Sequence, residues 1–225
     1  MFKTIRRYYR IWAGKSPAVW VGKYCPKVWY GNDYGGFYVC PLVLPTAPIV
    51  YSFGIGKDIS FDQAMMQQHQ AQIFAFDPTP DSIDWVGKQV VGKNFQFLPF
   101  GIGAKTGNVD FYLPKNPAYV SGSVLPTLLT DKTNKITVLL KSWTDILAET
   151  AHTQIDILKM DIEGAEYDVI PTILEAKIPI KQILVEFHGR VLQHTKTLEM
   201  VALMKKYGYE VFGISDRGEE ISFIA

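Results

Sequence analysis

Tyr209-Glu210-Val211-Phe212-Gly213-Ile214-Ser215-Asp216-Arg217-Gly218-Glu219-Glu220-Ile221-Ser222-Phe223-Ile224 reads as two short apolar strands around a polar turn. The turn, Ser215 to Glu220, is too short for the crossover that parallel strands require, so the two runs pair as an antiparallel hairpin. Upstream lie five more runs: Ile49 to Phe53, Ile73 to Phe76, Phe95 to Phe100, Ile155 to Met160 and Ile183 to Phe187. They alternate with helical stretches, the pattern of a parallel sheet with crossover helices. Several are apolar on both faces, as strands covered by helices on each side are. Ser60 with Gln63 reads as a capping box opening a helix through about Gln72, and Ser142 with Asp145 as a second such start ahead of Ile146 to Glu149. Thr197 to Tyr207 carries a helical stripe at Leu198, Val201, Ala202 and Met204, and Gly208 stops it. The expected fold is therefore α/β: five parallel strands followed by an antiparallel hairpin, seven strands in one mostly parallel sheet.

The 225 residues suit one generous domain, with 48% hydrophobic residues to fill a core. A net charge of +1 speaks against a nucleic-acid partner, which calls for a strongly basic face. Lys3, Arg6, Arg7, Arg10 and Lys15 lie among Tyr8, Tyr9, Ile11 and Trp12. They read either as a loose or docked basic terminus or as a weak contact for an anionic membrane surface. No run reaches the ~18 apolar residues of a membrane span. The richest stretch, Phe37 to Ile55, is broken by Pro41, Pro45 and Pro48. Cys25 and Cys40 make neither a disulfide scaffold nor a metal-ligand spacing, and no leader is apparent, so a cytoplasmic setting is expected. Residues 1–48 read as an aromatic-rich extension packed on or capping the α/β domain over 49–225. Its Trp20, Tyr24, Trp29, Tyr30, Tyr34 and Tyr38 form either a lid or a packing layer.

The first strand runs into Phe53-Gly54-Ile55-Gly56-Lys57-Asp58-Ile59-Ser60-Phe61. Gly-x-Gly between a strand and a helix lets a ligand approach the backbone closely. The dinucleotide pattern fails, since its third glycine falls at Ile59. Asp58 at the helix entrance repels a pyrophosphate but suits a ligand bearing ammonium and sulfonium groups, as S-adenosylmethionine (SAM) does. Asp77, followed by Pro78, ends the second strand about twenty residues on, where a carboxylate accepts hydrogen bonds from ribose hydroxyls. Gly101-Ile102-Gly103 follows the third strand and reads either as a plain turn or as a border to the adenine.

The fourth strand ends in Lys159-Met160-Asp161-Ile162-Glu163-Gly164-Ala165-Glu166, and the fifth in Val185-Glu186-Phe187-His188-Gly189. Carboxylates gathered at a buried sheet edge need a cation, a metal or a hydrogen-bonded ligand in compensation. The Lys159 to Glu166 stretch resembles the most characteristic motif of the FkbM-like methyltransferases, and Val185-Glu186-Phe187-His188 is similar to the strand that follows it. Tyr51-Ser52-Phe53-Gly54-Ile55-Gly56, with Asp58 and Ser60-Phe61-Asp62, resembles a subgroup that includes animal methyltransferase-like proteins. The resemblance covers residue 49 to the end. It implies the Rossmann-like seven-stranded sheet of the class I SAM-dependent methyltransferase fold, SAM as cofactor with S-adenosylhomocysteine as product, and mostly O-methylation of varied acceptors. One departure stands out: most members carry an acidic residue two positions before the first loop glycine, where this chain has Ser52. Asp58 is the substitute candidate for the methionine ammonium.

The expected cofactor contacts are thus Phe53, Gly54, Ile55, Gly56, Asp58, Ser60, Phe61, Asp77, Pro78, Gly101, Ile102 and Asp161. Methyl transfer is an in-line displacement, so the protein chiefly positions the acceptor, a small molecule, sugar or lipid. Asp161 is expected nearest the methyl group, with Glu163 or His188 removing the acceptor proton. His188 reads equally as a hydrogen-bonding residue at a strand end, and Glu166 as a first-turn helix acid. Asp161, Glu186 and His188 also form a candidate set for a divalent metal. Ser121-Gly122-Ser123-Val124, with Lys115, Asn116 and Tyr119, reads as a border of the acceptor pocket or as a surface loop. Two other classes fit the sequence: a catalytically silent SAM-binding or interaction module, and an NAD(P)-dependent oxidoreductase, the latter disfavoured by Ile59 and Asp58.

Overall fold

A computed structural model describes residues 2–114, 130–188 and 194–225. The chain opens with α1 (Phe2–Trp12) and a small hairpin, β1 (Val28–Tyr30) and β2 (Phe37–Val39). Next come β3 (Ile49–Phe53), α2 (Ser60–His69), β4 (Gln72–Phe76), α3 (Pro80–Val86) and β5 (Phe95–Leu98). A second module follows, of β6 (Gly101–Ile102), β7 (Gly107–Pro114) and β8 (Thr130–Lys141). The remainder is α4 (Trp143–Thr150), β9 (Ile155–Met160), α5 (Glu166–Glu175), β10 (Ile180–Glu186), α6 (His194–Lys206), β11 (Glu210–Ile214) and β12 (Glu220–Ile224).

Seven strands make one sheet in the order β11-β12-β10-β9-β3-β4-β5. β10, β9, β3, β4 and β5 are parallel, and β12 returns antiparallel between β10 and β11. This is the expected mostly parallel sheet with its terminal hairpin. From β3 the chain winds outward through β4 to β5, then crosses back so that β9 lies on the other flank of β3. That reversal opens a crevice at the carboxyl ends of β3 and β9, where open parallel sheets bind ligands.

Each face of the sheet has its own core. On one side α4, α5 and α6 cover Tyr51, Phe53, Phe76 and Leu158 with Trp143, Ile146, Ile170, Ile173 and Met204. Phe53 and Phe76 stack there at 4.3 Å. On the other, Tyr30, Phe37 and Val39 of the first hairpin join Phe61, Met65 and Val86 of α2 and α3 over Val50, Ile73 and Ile157. Each large side chain so buried contributes about 1.5–3 kcal/mol. The Gln182 side chain ties β10 to the first hairpin by accepting from Cys40 N–H (2.8 Å) and donating to Cys40 O (3.0 Å).

Several elements differ from the sequence expectation. No side chain caps α2 at its first position; instead Asp58 Oδ1 accepts from Ser60 N–H (2.7 Å), so Ser60 is capped rather than capping. The helix stops at His69 because Gln70 adopts a left-handed conformation. The third strand ends at Leu98, before Phe100. The Ser142–Asp145 start is present, with Ser142 Oγ accepting from Asp145 N–H (3.2 Å). The long β7–β8 pairing was not anticipated; Val138 and Leu140 turn inward while Thr137 and Leu139 face solvent. The basic start is a helix docked on the body, Arg7 donating to Val19 O and Arg10 lying 3.6 Å from Glu219. Lys115, Asn116, Tyr119 and Ser121 to Val124 lie outside the described residues.

Candidate functional site

The carboxyl ends of three parallel strands are held level by main-chain bonds. Asp161 N–H donates to Phe53 O (3.1 Å), Gly54 N–H to Phe76 O (2.9 Å) and Asp77 N–H to Leu98 O (3.4 Å). Gly54, Asp77 and Asp161, far apart in the chain, therefore meet at one sheet edge. They line a cavity of about 600 Å³.

One rim of this cavity is main chain. Gly54 and Gly56 adopt φ of +73° and +54°. A Cβ on Gly54 would lie 1.7 Å from the Asp161 carbonyl oxygen, so only glycine lets β3 and β9 close up here. Asp77 fastens the loop: Oδ2 accepts from Gly56 N–H (2.9 Å), and Oδ1 from Thr79 N–H (2.9 Å) and Thr79 Oγ1 (2.6 Å). Asp58 accepts from Asn32 Nδ2 (2.6 Å) as well as from Ser60, which draws residues 32–34 of the first hairpin to the cavity wall. Where the family resemblance leads one to expect an acid, buried Ser52 stands beside Lys159 in the parallel register. A carboxylate comes from α2 instead. Asp62, fully buried, interacts with Lys159 and Ser52, and burial pushes its pKa up to about 6.

The other rim is side-chain charge. After β9 the chain turns tightly, Glu163 (φ 55°) and Gly164 (φ 103°) both left-handed. Glu166, fully buried at the start of α5, gathers this turn: its Oε1 accepts from Ile162 N–H and Gly164 N–H (both 3.2 Å) and from His188 Nδ1 (2.8 Å). So Glu166 does more than favour a helix dipole. It aims His188 Nε2 at three further carboxylates: Glu163 at 3.4 Å, Asp161 at 3.5 Å and Glu186 at 4.0 Å. Burial raises Asp161 to about 6, against the opposing pull of His188 and Lys159. Burial, then repulsion from Asp161, raises Glu186 to about 7. Burial alone would lower His188, but the Glu166 hydrogen bond and the charges of Glu166, Asp161 and Glu163 lift it to about 10. Near neutral pH these partners hold His188 in its protonated form, which leaves the role of acceptor base to be tested against the carboxylates beside it. Asp161, Glu186 and His188 also each offer one ligand atom within 4.8 Å of the others.

Of the expected cofactor contacts, Phe53, Gly54, Ile55, Gly56, Asp58, Asp77, Pro78, Gly101, Ile102 and Asp161 line the cavity. Ser60 and Phe61 do not: Ser60 Oγ accepts from Asn32 N–H, and Phe61 packs edge-on against Phe37 in the core. Among the aromatic front only Tyr34 reaches the lining. Asn32, Thr79, Ser82, Phe111 and Leu140 line it without having been read from the sequence. For Leu140 the apolar residues at Ile136, Val138 and Leu140 were the available signal, blurred by Leu139, and for Phe111 the spacing of Val109 and Phe111.

The Methyltransferase FkbM domain matches residues 53–211, from the glycine loop through the acidic cluster. The chain belongs to the FkbM methyltransferase family. One relative, hexuronic acid methyltransferase AglP of Haloferax volcanii, is 22% identical over 139 residues, 61% of this chain. The match spans 55% of that protein, so the chain covers about half of its relative's length. The N-terminal domain of human METTL16 is a similar solved structure, with a TM-score of 0.45 and 10% identity over 78% of this chain and 60% of that one. P. horikoshii TYW2 in complex with MeSAdo follows, with a TM-score of 0.40 and 9% identity over 99% and 80%.

The cavity suits the family's cofactor. Its described lining holds four carboxylates, Asp58, Asp77, Asp161 and Glu163, against the single cation Lys57, which pairs with Asp81. That balance favours a ligand carrying ammonium and sulfonium charges. Pro78, Ile102, Phe111 and Leu140 give an apolar wall for an adenine.

Proposed function

We propose that this FkbM chain transfers the SAM methyl group to a hydroxyl of a sugar or other small acceptor, with Asp161 taking the proton. The observation that carries this reading is the carboxylate cage around His188 at the cavity edge. SAM, when bound, supplies the leaving group; the residues here hold and align. Gly54 to Gly56, Asp77 and Asp58 hold the cofactor, and residues 1–48 form an extension walling it through Asn32 and Tyr34. An attacking hydroxyl must shed its proton as it bonds to carbon, and a base of pKa near the working pH serves best. Asp161 lines the cavity, is ionised at neutral pH and is a stronger base than an ordinary aspartate. His188 keeps its proton and keeps the carboxylates charged, while Glu163 orients the acceptor. The relative named for hexuronic acid favours a glycan acceptor.

The test is calorimetry with SAM, S-adenosylhomocysteine and NAD, joined to transfer from methyl-labelled SAM onto a sugar panel that includes hexuronic acids. Labelled product is expected. SAM binding without product from any acceptor turns the reading to a silent module, and binding of NAD in place of SAM to an oxidoreductase.

A second reading rests on the 4.8 Å grouping: a divalent ion on Asp161, Glu186 and His188 that binds the acceptor oxygen. Activity lost on chelation and restored by manganese supports the ion; activity indifferent to chelation supports direct proton transfer to Asp161.

A further inference from the structure

Helices on a protein surface normally turn apolar residues inward and charges outward. The described part of α1 does the reverse. Arg7 and Arg10 face the body, Arg7 donating to Val19 O and Arg10 reaching Lys15 O (3.3 Å) and Glu219. Tyr8, Tyr9 and Trp12, one helical face at spacings of three and four, stand in solvent; Trp12 is 84% exposed. Trp20 extends the patch, its ring 5.7 Å from Tyr8, while Tyr9 and Trp12 lie 6.2 Å apart. A contiguous exposed aromatic surface marks a docking site.

Charge selects the occupant. Residues 1–32 hold seven Lys or Arg and no Asp or Glu, although the whole chain is nearly balanced at 23 to 22. Tyrosine and tryptophan rings settle at the level of lipid headgroups, and basic segments are drawn to anionic leaflets. A nucleic acid depends chiefly on free cations reaching its phosphates, whereas here Arg7 and Arg10 are engaged with the body and the rings stand outward. A lipid interface takes the rings themselves, with the segment's net positive charge adding only a long-range attraction to anionic headgroups. Position matters too. Glu219, which anchors Arg10, precedes Glu220, and Glu220 pairs in the sheet with Glu186 of the acidic rim. The helix that carries the patch is thus anchored at the end of the sheet where the cavity opens.

We propose that the outward aromatic face of α1 docks the protein on an anionic lipid surface, bringing the mouth of the cavity to that surface. The proposal is independent of which acceptor is methylated. The test is cosedimentation of the full chain with vesicles of phosphatidylcholine alone and of phosphatidylcholine with phosphatidylglycerol. Binding to the second only is expected, with a blue shift of tryptophan emission and loss at high salt. The double variant Tyr9→Ser, Trp12→Ser should bind these vesicles about tenfold less while calorimetry with SAM stays unchanged, since neither residue touches the cavity. Equal binding to both vesicle types, no binding to either, or a double variant that binds like the parent overturns the proposal. So does retention of single-stranded RNA by a chain that ignores the vesicles.

Discussion

The two rims of the crevice hold their positions by opposite means. The glycine rim, Phe53 to Asp58 with Asp77, is built from main chain, and its polar groups are satisfied locally: both Asp77 oxygens and both Asp58 oxygens accept from neighbouring donors. The acidic rim, Asp161 to Glu166 with Glu186 and His188, sets four carboxylates around one imidazolium. Its groups depend on each other's charge, and three of them carry raised pKa values. On the proposed reading, the rim that grips the cofactor is fixed by shape, and the rim that exchanges a proton stores unbalanced charge, which a fully paired site would lack.

The largest test of that contrast removes a charge from the second rim without changing its shape. Asp161→Asn should lower kcat about 10²–10⁴-fold, the usual worth of a positioned base, while SAM affinity measured by calorimetry changes far less. A variant that loses SAM binding in step with turnover would make Asp161 a cofactor ligand and place the base elsewhere.

The converse test alters shape without altering charge. Gly54→Ala forces a Cβ into the Asp161 carbonyl, so a loss of about 3 kcal/mol or more in thermal unfolding, with SAM binding abolished, is expected. Gly56→Ala meets no atom within 4 Å and should cost only the left-handed backbone penalty, about 1 kcal/mol. Equal effects at both glycines would mean that backbone conformation, and not the close approach of β9, governs this rim.

This contrast also explains what the sequence disclosed. The glycine rim was legible because shape requirements leave a local mark: a Gly-x-Gly after an apolar run, an acid at the next strand end. The parallel sheet and its hairpin were legible for the same reason, since run length and turn length limit the connections. The acidic rim was legible in membership but not in roles. Nothing in Val185-Glu186-Phe187-His188 tells that Glu166, twenty-two residues away, binds Nδ1 and favours the protonated imidazole. The capping of α2 was misassigned between neighbours, Asp58 doing what Ser60 was expected to do, because both residue types suit the task. The wall formed by Phe111 and Leu140 went unread because β7 and β8 make a separate sheet outside the parallel pattern.

A smaller effect tests the coupling within the acidic rim. A carboxylate base works only when ionised, so activity should fall as pH drops through about 7 to about 6, the range of Glu186 and Asp161. The His188 charge lowers the pKa of both groups. His188→Gln should therefore raise them and move the acid limb of the kcat profile upward by roughly one unit, with SAM affinity kept. A limb that stays in place while turnover falls uniformly would reduce His188 to a packing element.

The smallest expected effect asks whether the glycine rim uses charge at all. Asp58 both closes the start of α2 and lines the cavity, and the two tasks separate by substitution. Asparagine caps as well as aspartate, so Asp58→Asn should leave stability within about 0.5 kcal/mol, whereas Asp58→Ala should lose about 1 kcal/mol. If Asp58 also faces the methionine ammonium of SAM, the asparagine variant should weaken SAM binding about tenfold, the worth of one charge-assisted bond, with the melting temperature unmoved. An affinity that follows stability, normal in the asparagine variant and reduced only in the alanine one, would assign Asp58 wholly to the helix start. The first rim would then act by shape alone, and recognition of the ammonium would pass to the acids across the crevice.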